Sequence, residues 1–160
     1  MNALAVDRAE VTAFVALGAN LGDAAQALRD ALTALDGMPG VRLVRASSLY
    51  RTAPIQSTGP DYINAVAEVS TTLNAMALLD ALQAIEQQAG RERPYRNAPR
   101  TLDMDLLLFG GARVESPRLT VPHPRMAQRA FVLVPLAEVA PALVSAGQLA
   151  AVGDQTIESF

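Results

Sequence analysis

Two aspartates, Asp103 and Asp105, stand one residue apart in the otherwise apolar run LDMDLLLF. In a β-strand, residues i and i+2 point to the same side, so both carboxylates would share one face, with their Cα atoms roughly 6.5 to 7 Å apart. Two like charges this close repel each other unless a cation lies between them. Carboxylate oxygens suit a hard ion such as Mg²⁺. The pair therefore predicts either a magnesium site or an ordinary solvated strand face.

Arginines surround this pair. Eight of the 13 basic residues, all of them arginine, fall between Arg91 and Arg129 in a chain whose net charge is −3. The planar guanidinium matches phosphate oxygens and stays protonated. A local cationic cluster in an acidic chain favours a small anionic ligand over a nucleic acid or an acidic membrane. A solvated loop is the alternative, but a carboxylate pair beside a basic loop is suited to phosphoryl or nucleotidyl transfer.

Three further polar residues lie near this region in the sequence. His123 stands between two prolines, which would fix its direction, although a lone histidine is more often a structural hydrogen-bonding group than a catalyst. Gln83 and Glu86 are three residues apart at the end of a predicted helix, just before the basic loop. They are either a solvated helix face or contacts to a nucleotide.

Composition narrows the chemistry. The chain has 160 residues, of which 51% are hydrophobic and 18% charged, as expected for one folded domain. Without cysteine it has no disulfide, thiolate nucleophile or zinc–sulfur site, which suits a cytoplasmic protein. Without lysine it has neither a Schiff-base lysine nor a P-loop. We find no apolar run long enough to span a bilayer and no signal-peptide pattern, so we expect no membrane association.

Hydrophobic periodicity predicts the elements that position these residues. We expect strands at 11–18, 41–50 and 62–72, with a loop at 51–60. A first helix with Leu28, Leu32 and Leu35 on one face should stop at Gly37. A second helix should begin at the cap Asn74 and end at Gly90. The run TLDMDLLLF should be a strand that turns through GG into a hairpin with ARVESPRL, and a short helix should follow within residues 125–141.

The order β-α-β-β-α-β predicts an α+β, ferredoxin-like fold. Its antiparallel sheet should carry the helices on one face, with Leu102, Met104 and Leu106 packed beneath them. The opposite face should bear active-site loops and the two carboxylates. That face is where we expect a ligand.

Longer stretches of the sequence resemble a known family. PRTLDMDLLLFG, followed by RLTVPHPRMAQRAFVLVPLAEVAP, closely resembles the signature of the 6-hydroxymethyl-7,8-dihydropterin pyrophosphokinases of folate biosynthesis. The blocks ALGANLGD, SSLYRTAPI and GPDYINAV resemble other blocks of that family in the same order, and the likeness covers roughly residues 12–142.

This resemblance implies that the diphosphate of ATP is transferred to the hydroxymethyl group of the pterin, with release of AMP. It also implies a ferredoxin-like fold, a monomer or weak dimer, and two Mg²⁺ ions held by Asp103 and Asp105. Arg91 and Arg100 would contact the phosphates from a mobile loop. The implied nucleotide site is Gln83, Glu86, Arg93, Arg118, Thr120, His123 and Arg129, and the implied pterin site is Thr52, Ile55, Tyr62, Asn64 and Phe131.

Two departures bear on the loop that would cover the substrates. Asn97 stands where the best-known members have a tryptophan, and Pro94 where some have a basic residue. Two other functions stay open from the sequence. One is a non-catalytic binding module on the same fold, and the other is a transferase that releases ADP or pyrophosphate instead of AMP.

Overall fold

The computed structural model describes residues 9–53, 59–91 and 102–160. Its first strand, β1 (Val11–Ala19), is followed by helix α1 (Ala24–Asp36) and strand β2 (Val41–Ala46). The Asp23 carboxylate caps α1 by accepting from the Gln26 N–H at 3.1 Å. The Gly37 N–H closes the last turn, as predicted, by donating to carbonyls of that turn.

The predicted strand 41–50 is interrupted. After β2, the Ser47 N–H donates to the Val66 carbonyl at 2.8 Å while the Ser47 hydroxyl accepts from the Val66 N–H at 3.0 Å. The side chain therefore replaces part of the ladder, and pairing resumes only at β3 (Tyr50–Thr52). The predicted loop 51–60 was consequently wrong at its first two residues, which belong to β3.

Strand β4 (Tyr62–Thr71) leads into helix α2 (Ala75–Arg91). The predicted cap is confirmed, because Asn74 Oδ1 accepts from the Ala77 N–H at 2.8 Å. The predicted stop at Gly90 was wrong, since α2 runs on through Arg91. Glycine lowers helix stability by about 1 kcal/mol but does not forbid helical backbone.

Strand β5 (Asp103–Phe109) is an edge strand that pairs with β1. The predicted hairpin from β5 into residues 112–119 was wrong. Instead β6 (Val114–Glu115) pairs with β7 (Thr120–Val121) in a separate two-stranded sheet. On the edge of β5 that faces away from β1, the Leu107 carbonyl accepts from the His123 N–H at 2.9 Å. That contact takes a position that a hairpin partner would have occupied.

The remaining elements are helix α3 (Ala130–Val139), helix α4 (Ala146–Ala151) and strand β8 (Ile157–Ser159), with short 3₁₀ turns at Met126–Gln128 and Pro141–Leu143. The main sheet has six antiparallel strands in the order β5-β1-β4-β3-β8, and β2 also pairs with β4. The fold is thus a mixed α+β architecture, as predicted, with the element order β-α-β-β-α-β when β2 and β3 count as one strand.

The placement of all helices on one face was wrong. Helices α1 and α2 cover one face, where Leu28 and Leu82 are fully buried. Helix α3 lies on the opposite face, because Phe14, Val66 and Leu107 are apolar there and are buried against it. Only the end of that face beyond α3 is left for a ligand.

None of the helices in the described ranges combines the length and apolar character that a bilayer crossing demands.

Candidate active site

The register of three neighbouring strands, β5, β1 and β4, assembles the open end of the sheet. Gly18 of β1 lies between Asp103 of β5 and Asn64 of β4, and Ala16 pairs with Asp105. Because side chains alternate along each strand, the two aspartates and Asn64 point to the same face. Leu102, Met104 and Leu106 are buried on the opposite face under α1 and α2, as predicted.

A cavity of about 710 Å³ lies over this end of the sheet. Seven of the residues implied by the family resemblance line it, and they come from three strands (β3, β4 and β5), from helix α3 and from the residue that precedes α3. Those seven are Thr52, Tyr62, Asn64, Asp103, Asp105, Arg129 and Phe131. The fold therefore brings together residues that are as far as 79 positions apart in the sequence.

One wall of the cavity is a buried polar pair. Asn64 is 4% exposed and Thr52 is 5% exposed. The Asn64 Nδ2 donates to the Thr52 Oγ1 at 2.7 Å. This bond uses one of the two N–H groups of the amide and fixes its plane. Among the residues that the structure describes, the second N–H and the carbonyl oxygen have no hydrogen-bond partner, which leaves them for a planar, hydrogen-bonding ligand.

A second wall is formed at the start of α3. The Arg129 guanidinium lies over the Phe131 ring, 5.3 Å from its centroid. Such a contact restrains the orientation of both groups. The wall therefore offers a cation and an aromatic surface side by side.

His123 lies near the carboxylate end of the site. Its Nδ1 accepts from the Arg125 N–H at 3.2 Å, which assigns the proton of the neutral ring to Nε2. Partial burial lowers the pKa of His123 below its ordinary value. The negative charge of Asp105 opposes this shift, whereas the positive charges of Arg129 and Arg125 add to it. At neutral pH the ring is thus an uncharged Nε2–H donor.

Other described residues that were predicted to contact the nucleotide bind to neighbouring protein groups or lie exposed, and they do not line the cavity. The Arg118 guanidinium donates to Asp80 Oδ1 at 2.7 Å and to Gln83 Oε1 at 3.0 Å. The Glu86 carboxylate accepts from the Met104 N–H at 2.6 Å, which ties α2 to β5. Thr120 lies exposed on β7. Within the described ranges, neither these residues nor His123 line the cavity itself.

Some predicted residues lie outside what the structure describes. Ile55, Arg93 and Arg100 fall outside the described residues, as do Pro94 and Asn97. Arg91 is described only as the last backbone position of α2. Their assigned roles stay predictions.

Sequence reasoning missed several residues of the cavity lining. Gly18 was interpreted only as the end of a strand, although glycine in a strand often marks a close approach of backbone. Arg125 and Gln128 also line the cavity; Arg125 was predicted only as one member of the arginine cluster, and nothing in the sequence pointed to Gln128. Ala16, Leu17 and Ala53 complete the lining.

The carboxylate pair suits magnesium bound together with a phosphate. Among the described residues no group of three histidine or acidic side chains could hold a metal. Mg²⁺ commonly uses only one or two protein carboxylates and takes its other ligands from water and substrate phosphates. Asp103 and Asp105 supply such a partial site beside Arg125 and Arg129.

Comparison with known proteins decides the family. A profile of the family described as 7,8-dihydro-6-hydroxymethylpterin-pyrophosphokinase (HPPK) matches residues 14–141. The chain belongs to this family. That match includes every described residue of the cavity. The resemblance inferred from the sequence is therefore confirmed, and HPPK enzymes are pterin pyrophosphokinases of folate biosynthesis.

Individual HPPK relatives agree. The chain is 49% identical over 131 residues to 2-amino-4-hydroxy-6-hydroxymethyldihydropteridine pyrophosphokinase of Pseudomonas aeruginosa, with 81% of each chain covered. It is 45% identical over 135 residues to the Haemophilus influenzae enzyme of the same name, with 84% of each covered. It is 43% identical over 128 residues to the Bacillus subtilis enzyme, covering 79% of this chain and 77% of that one.

A solved structure supports the fold at low sequence identity. The crystal structure of wild-type Plasmodium falciparum HPPK-DHPS with pterin and p-hydroxybenzoate superposes with a TM-score of 0.66 at 14% identity. The match covers 86% of this chain and 41% of that much longer chain. At this identity the likeness concerns the fold alone.

Proposed function

We propose that this HPPK-family chain transfers the β,γ-diphosphate of ATP to the hydroxymethyl group of 6-hydroxymethyl-7,8-dihydropterin and releases AMP. One observation carries the assignment beyond family membership. The Thr52–Asn64 pair and the aspartates Asp103 and Asp105 open into the same cavity. A heterocycle site and a phosphate-metal site are thus adjacent, as a transfer between the two substrates requires.

The pterin would bind at the Thr52–Asn64 wall. The free N–H and carbonyl of Asn64 can pair with the donor and acceptor edge of the heterocycle. Tyr62 and Phe131 line the same cavity and supply aromatic surface for the ring. Ile55 is proposed here from the family resemblance.

The polyphosphate would bind at the opposite end. Asp103 and Asp105 would hold two Mg²⁺ ions, whose positive charge would offset the negative charge of the triphosphate. Arg129 adds a fixed cation on the cavity wall. Arg91, at the end of α2, and Arg100 are proposed from the family resemblance to contact the phosphates. The nucleotide would continue toward Gln83, Glu86, Arg93, Arg118, Thr120 and His123.

The chemistry exchanges one P–O bond for another. The hydroxymethyl oxygen forms a bond to the β-phosphorus of ATP as the bond from that phosphorus to the α,β-bridging oxygen breaks. AMP leaves with that oxygen, and the alcohol proton is released. Such a transfer needs alignment and charge stabilisation more than a strong base. Asn64 would orient the acceptor and the arginines would stabilise the leaving phosphate.

Several finer predictions belong with this proposal. We propose a ferredoxin-like fold for the β-α-β-β-α-β portion, and a single pyrophosphokinase domain over residues 1–160. We also propose a monomer or weak dimer in the cytoplasm, with only ATP and the pterin as substrates.

The test is a product assay with ATP, Mg²⁺ and the hydroxymethyl pterin. We expect AMP and the pterin diphosphate in equal amounts, and no AMP when the pterin is omitted. ADP or pyrophosphate would indicate a different transferase. Calorimetric binding of a non-hydrolysable ATP analogue without any product would instead indicate a binding module.

A further inference from the structure

The segment from Gln155 to Phe160, here called the 155–160 segment, contacts both walls of the cavity from behind. It follows α4 and includes β8. None of its residues lines the cavity, within the part of the chain that the structure describes. Its contacts are instead with the backbone of lining residues, Gln128 and Thr52, and of residues next to them in the sequence.

The first contact is with the Arg129 wall. Gln155 Oε1 accepts from the Ala130 N–H at 2.9 Å, and Gln155 Nε2 donates to the Gln128 carbonyl at 2.9 Å. Helix α3 has no side-chain cap of its own at Arg129, so Gln155 satisfies one of the N–H groups that a helix start leaves open. Arg129 lies between the two residues that Gln155 holds.

The second contact is with the Thr52 wall. Strand β8 pairs with β3 so that Ile157 is opposite Thr52 and Glu158 is opposite Arg51. The Phe160 N–H donates to the Leu49 carbonyl at 2.9 Å. Hydrogen-bonded pairs alternate along an antiparallel ladder, so Arg51 and Glu158 are the next bonded pair.

An ion pair and a ring contact reinforce this second attachment. The Arg51 guanidinium lies 5.0 Å from the Phe160 ring centroid and 3.7 Å from the Glu158 carboxylate. Both ionic side chains are exposed, so the ion pair itself adds little. The ladder is therefore the main restraint on β3 at this edge.

We propose that the 155–160 segment positions the two walls of the pterin cavity, with Gln155 as the positioning residue for Arg129 and Phe131. The assignment rests on the proposed function for its substrate. The Gln155 amide couples the 3₁₀ turn that ends at Gln128 to the first turn of α3, and β8 holds the strand that carries Thr52. Loss of either attachment leaves the catalytic aspartates untouched but loosens a pterin wall.

The first experiment compares three variants of the full chain. Gln155→Leu removes both amide bonds, whereas Gln155→Glu keeps an acceptor for the Ala130 N–H and loses the donor to the Gln128 carbonyl. The matched control is Gln148→Leu, because Gln148 also accepts from a backbone N–H, that of Ser145 at 2.8 Å, but lies away from the cavity. Steady-state kinetics and melting temperatures are measured for each variant.

We expect both Gln155 variants to raise the KM for the pterin about five-fold through Phe131 and also to raise the KM for ATP through Arg129, with kcat changed less than about two-fold. Gln148→Leu should lower the melting temperature without raising the KM for the pterin. Gln155→Glu keeps the test decisive if Gln155→Leu does not fold, because a carboxylate at the start of α3 is itself stabilising. An unchanged KM in Gln155→Glu, or an equal rise in Gln148→Leu, overturns the proposal.

The second experiment addresses β8. Glu158→Pro removes the N–H from the Arg51–Glu158 pair, while Glu158→Ala removes only the exposed ion pair. We expect a raised KM for the pterin in Glu158→Pro alone. A raised KM in both variants, or in neither, contradicts the role of the ladder.

Two readouts separate this inference from the proposed function. AMP release by the unsubstituted chain tests the function, whereas ratios between variants test the positioning. Amide hydrogen exchange at Ala130 and Arg51 needs no turnover and should speed up in Gln155→Leu and Glu158→Pro respectively. Unchanged exchange at both amides would overturn the positioning role even in an active enzyme.

Discussion

Gly18 and Asn64 are opposite each other on neighbouring strands, and a Cβ atom at Gly18 would lie 2.9 Å from Asn64 Oδ1. A side chain of any size there would have to displace the amide. The Asn64 amide can lie against β1 and donate to Thr52 only because Gly18 has no side chain. A close backbone approach thus shapes the Thr52–Asn64 wall of the cavity.

Gly18→Ala is therefore expected to weaken pterin binding by roughly ten-fold, with little change in the KM for ATP, because the displaced amide loses its alignment. Calorimetry with the pterin and steady-state kinetics measure the two effects. Gly111→Ala is the control, since a Cβ there meets nothing within 4 Å. Equal pterin affinity in Gly18→Ala and the unsubstituted chain would contradict the packing argument.

Asp103→Ala and Asp105→Ala are each expected to reduce AMP formation at least about a thousand-fold while the chain stays folded. Both residues are exposed, so their removal opens no core cavity. AMP release and thermal melting are measured together. Asp30→Ala, at an exposed position of α1, controls for the loss of one negative charge. Substantial activity in either site variant would refute the metal-binding role.

Thr52→Val should cost about 1 to 3 kcal/mol of stability, because it leaves the buried Asn64 amide without its acceptor. Thr52→Ser keeps the hydroxyl and should retain both stability and pterin affinity. Urea unfolding and pterin titration distinguish the two variants. If Thr52→Val and Thr52→Ser behave alike, the 2.7 Å hydrogen bond from Asn64 to Thr52 does not organise this wall.

Arg100→Ala is expected to slow turnover far more than it weakens ATP binding, because its proposed contact strengthens as charge develops on the phosphates. Single-turnover AMP formation and equilibrium binding of an ATP analogue measure the two quantities. Arg113→Ala, a substitution of another arginine outside the proposed site, is the control. Unchanged turnover in Arg100→Ala would remove its assigned role.

Stability at acid pH should depend on Glu138. Its carboxylate accepts from the Ser48 N–H at 3.0 Å and from the Tyr50 hydroxyl at 2.6 Å. Burial alone would raise the pKa of Glu138, but these hydrogen bonds outweigh it and leave the pKa below its ordinary value. The stabilisation is therefore present above the unfolded-state pKa and is lost as pH falls through the folded-state pKa. Urea unfolding from roughly pH 6 to 3 should show a smaller acid loss in Glu138→Gln.

The alkaline side depends on Tyr50. Burial, followed by the Glu138 contact, raises the pKa of Tyr50 from 10.0 to about 12. Its contribution is complete below pH 10 and is lost as pH rises through about 12, so Tyr50→Phe should lose less stability over that interval. Parallel alkaline curves for the two proteins would show that the hydroxyl has no such coupling.

The sequence by itself determined the periodic elements and the strongest chemical pattern. Alternation in LDMDLLLF placed Asp103 and Asp105 on one face and Leu102, Met104 and Leu106 on the other, because successive side chains of a strand point to opposite faces. Helical spacing and the Asn74 cap likewise predicted α2. The family resemblance supplied seven of the residues that line the cavity.

Tertiary structure decided what depends on contacts between distant residues. Local pattern could not place α3 on the second face, since only the assembled sheet exposes Phe14, Val66 and Leu107 as one apolar surface. The local sequence pattern also could not predict that Gly18 packs against Asn64. Nor could it predict that the 155–160 segment contacts two walls of the cavity, because both relationships exist only when the strands are in register. Periodicity determines which face a side chain takes, and packing determines what that face meets.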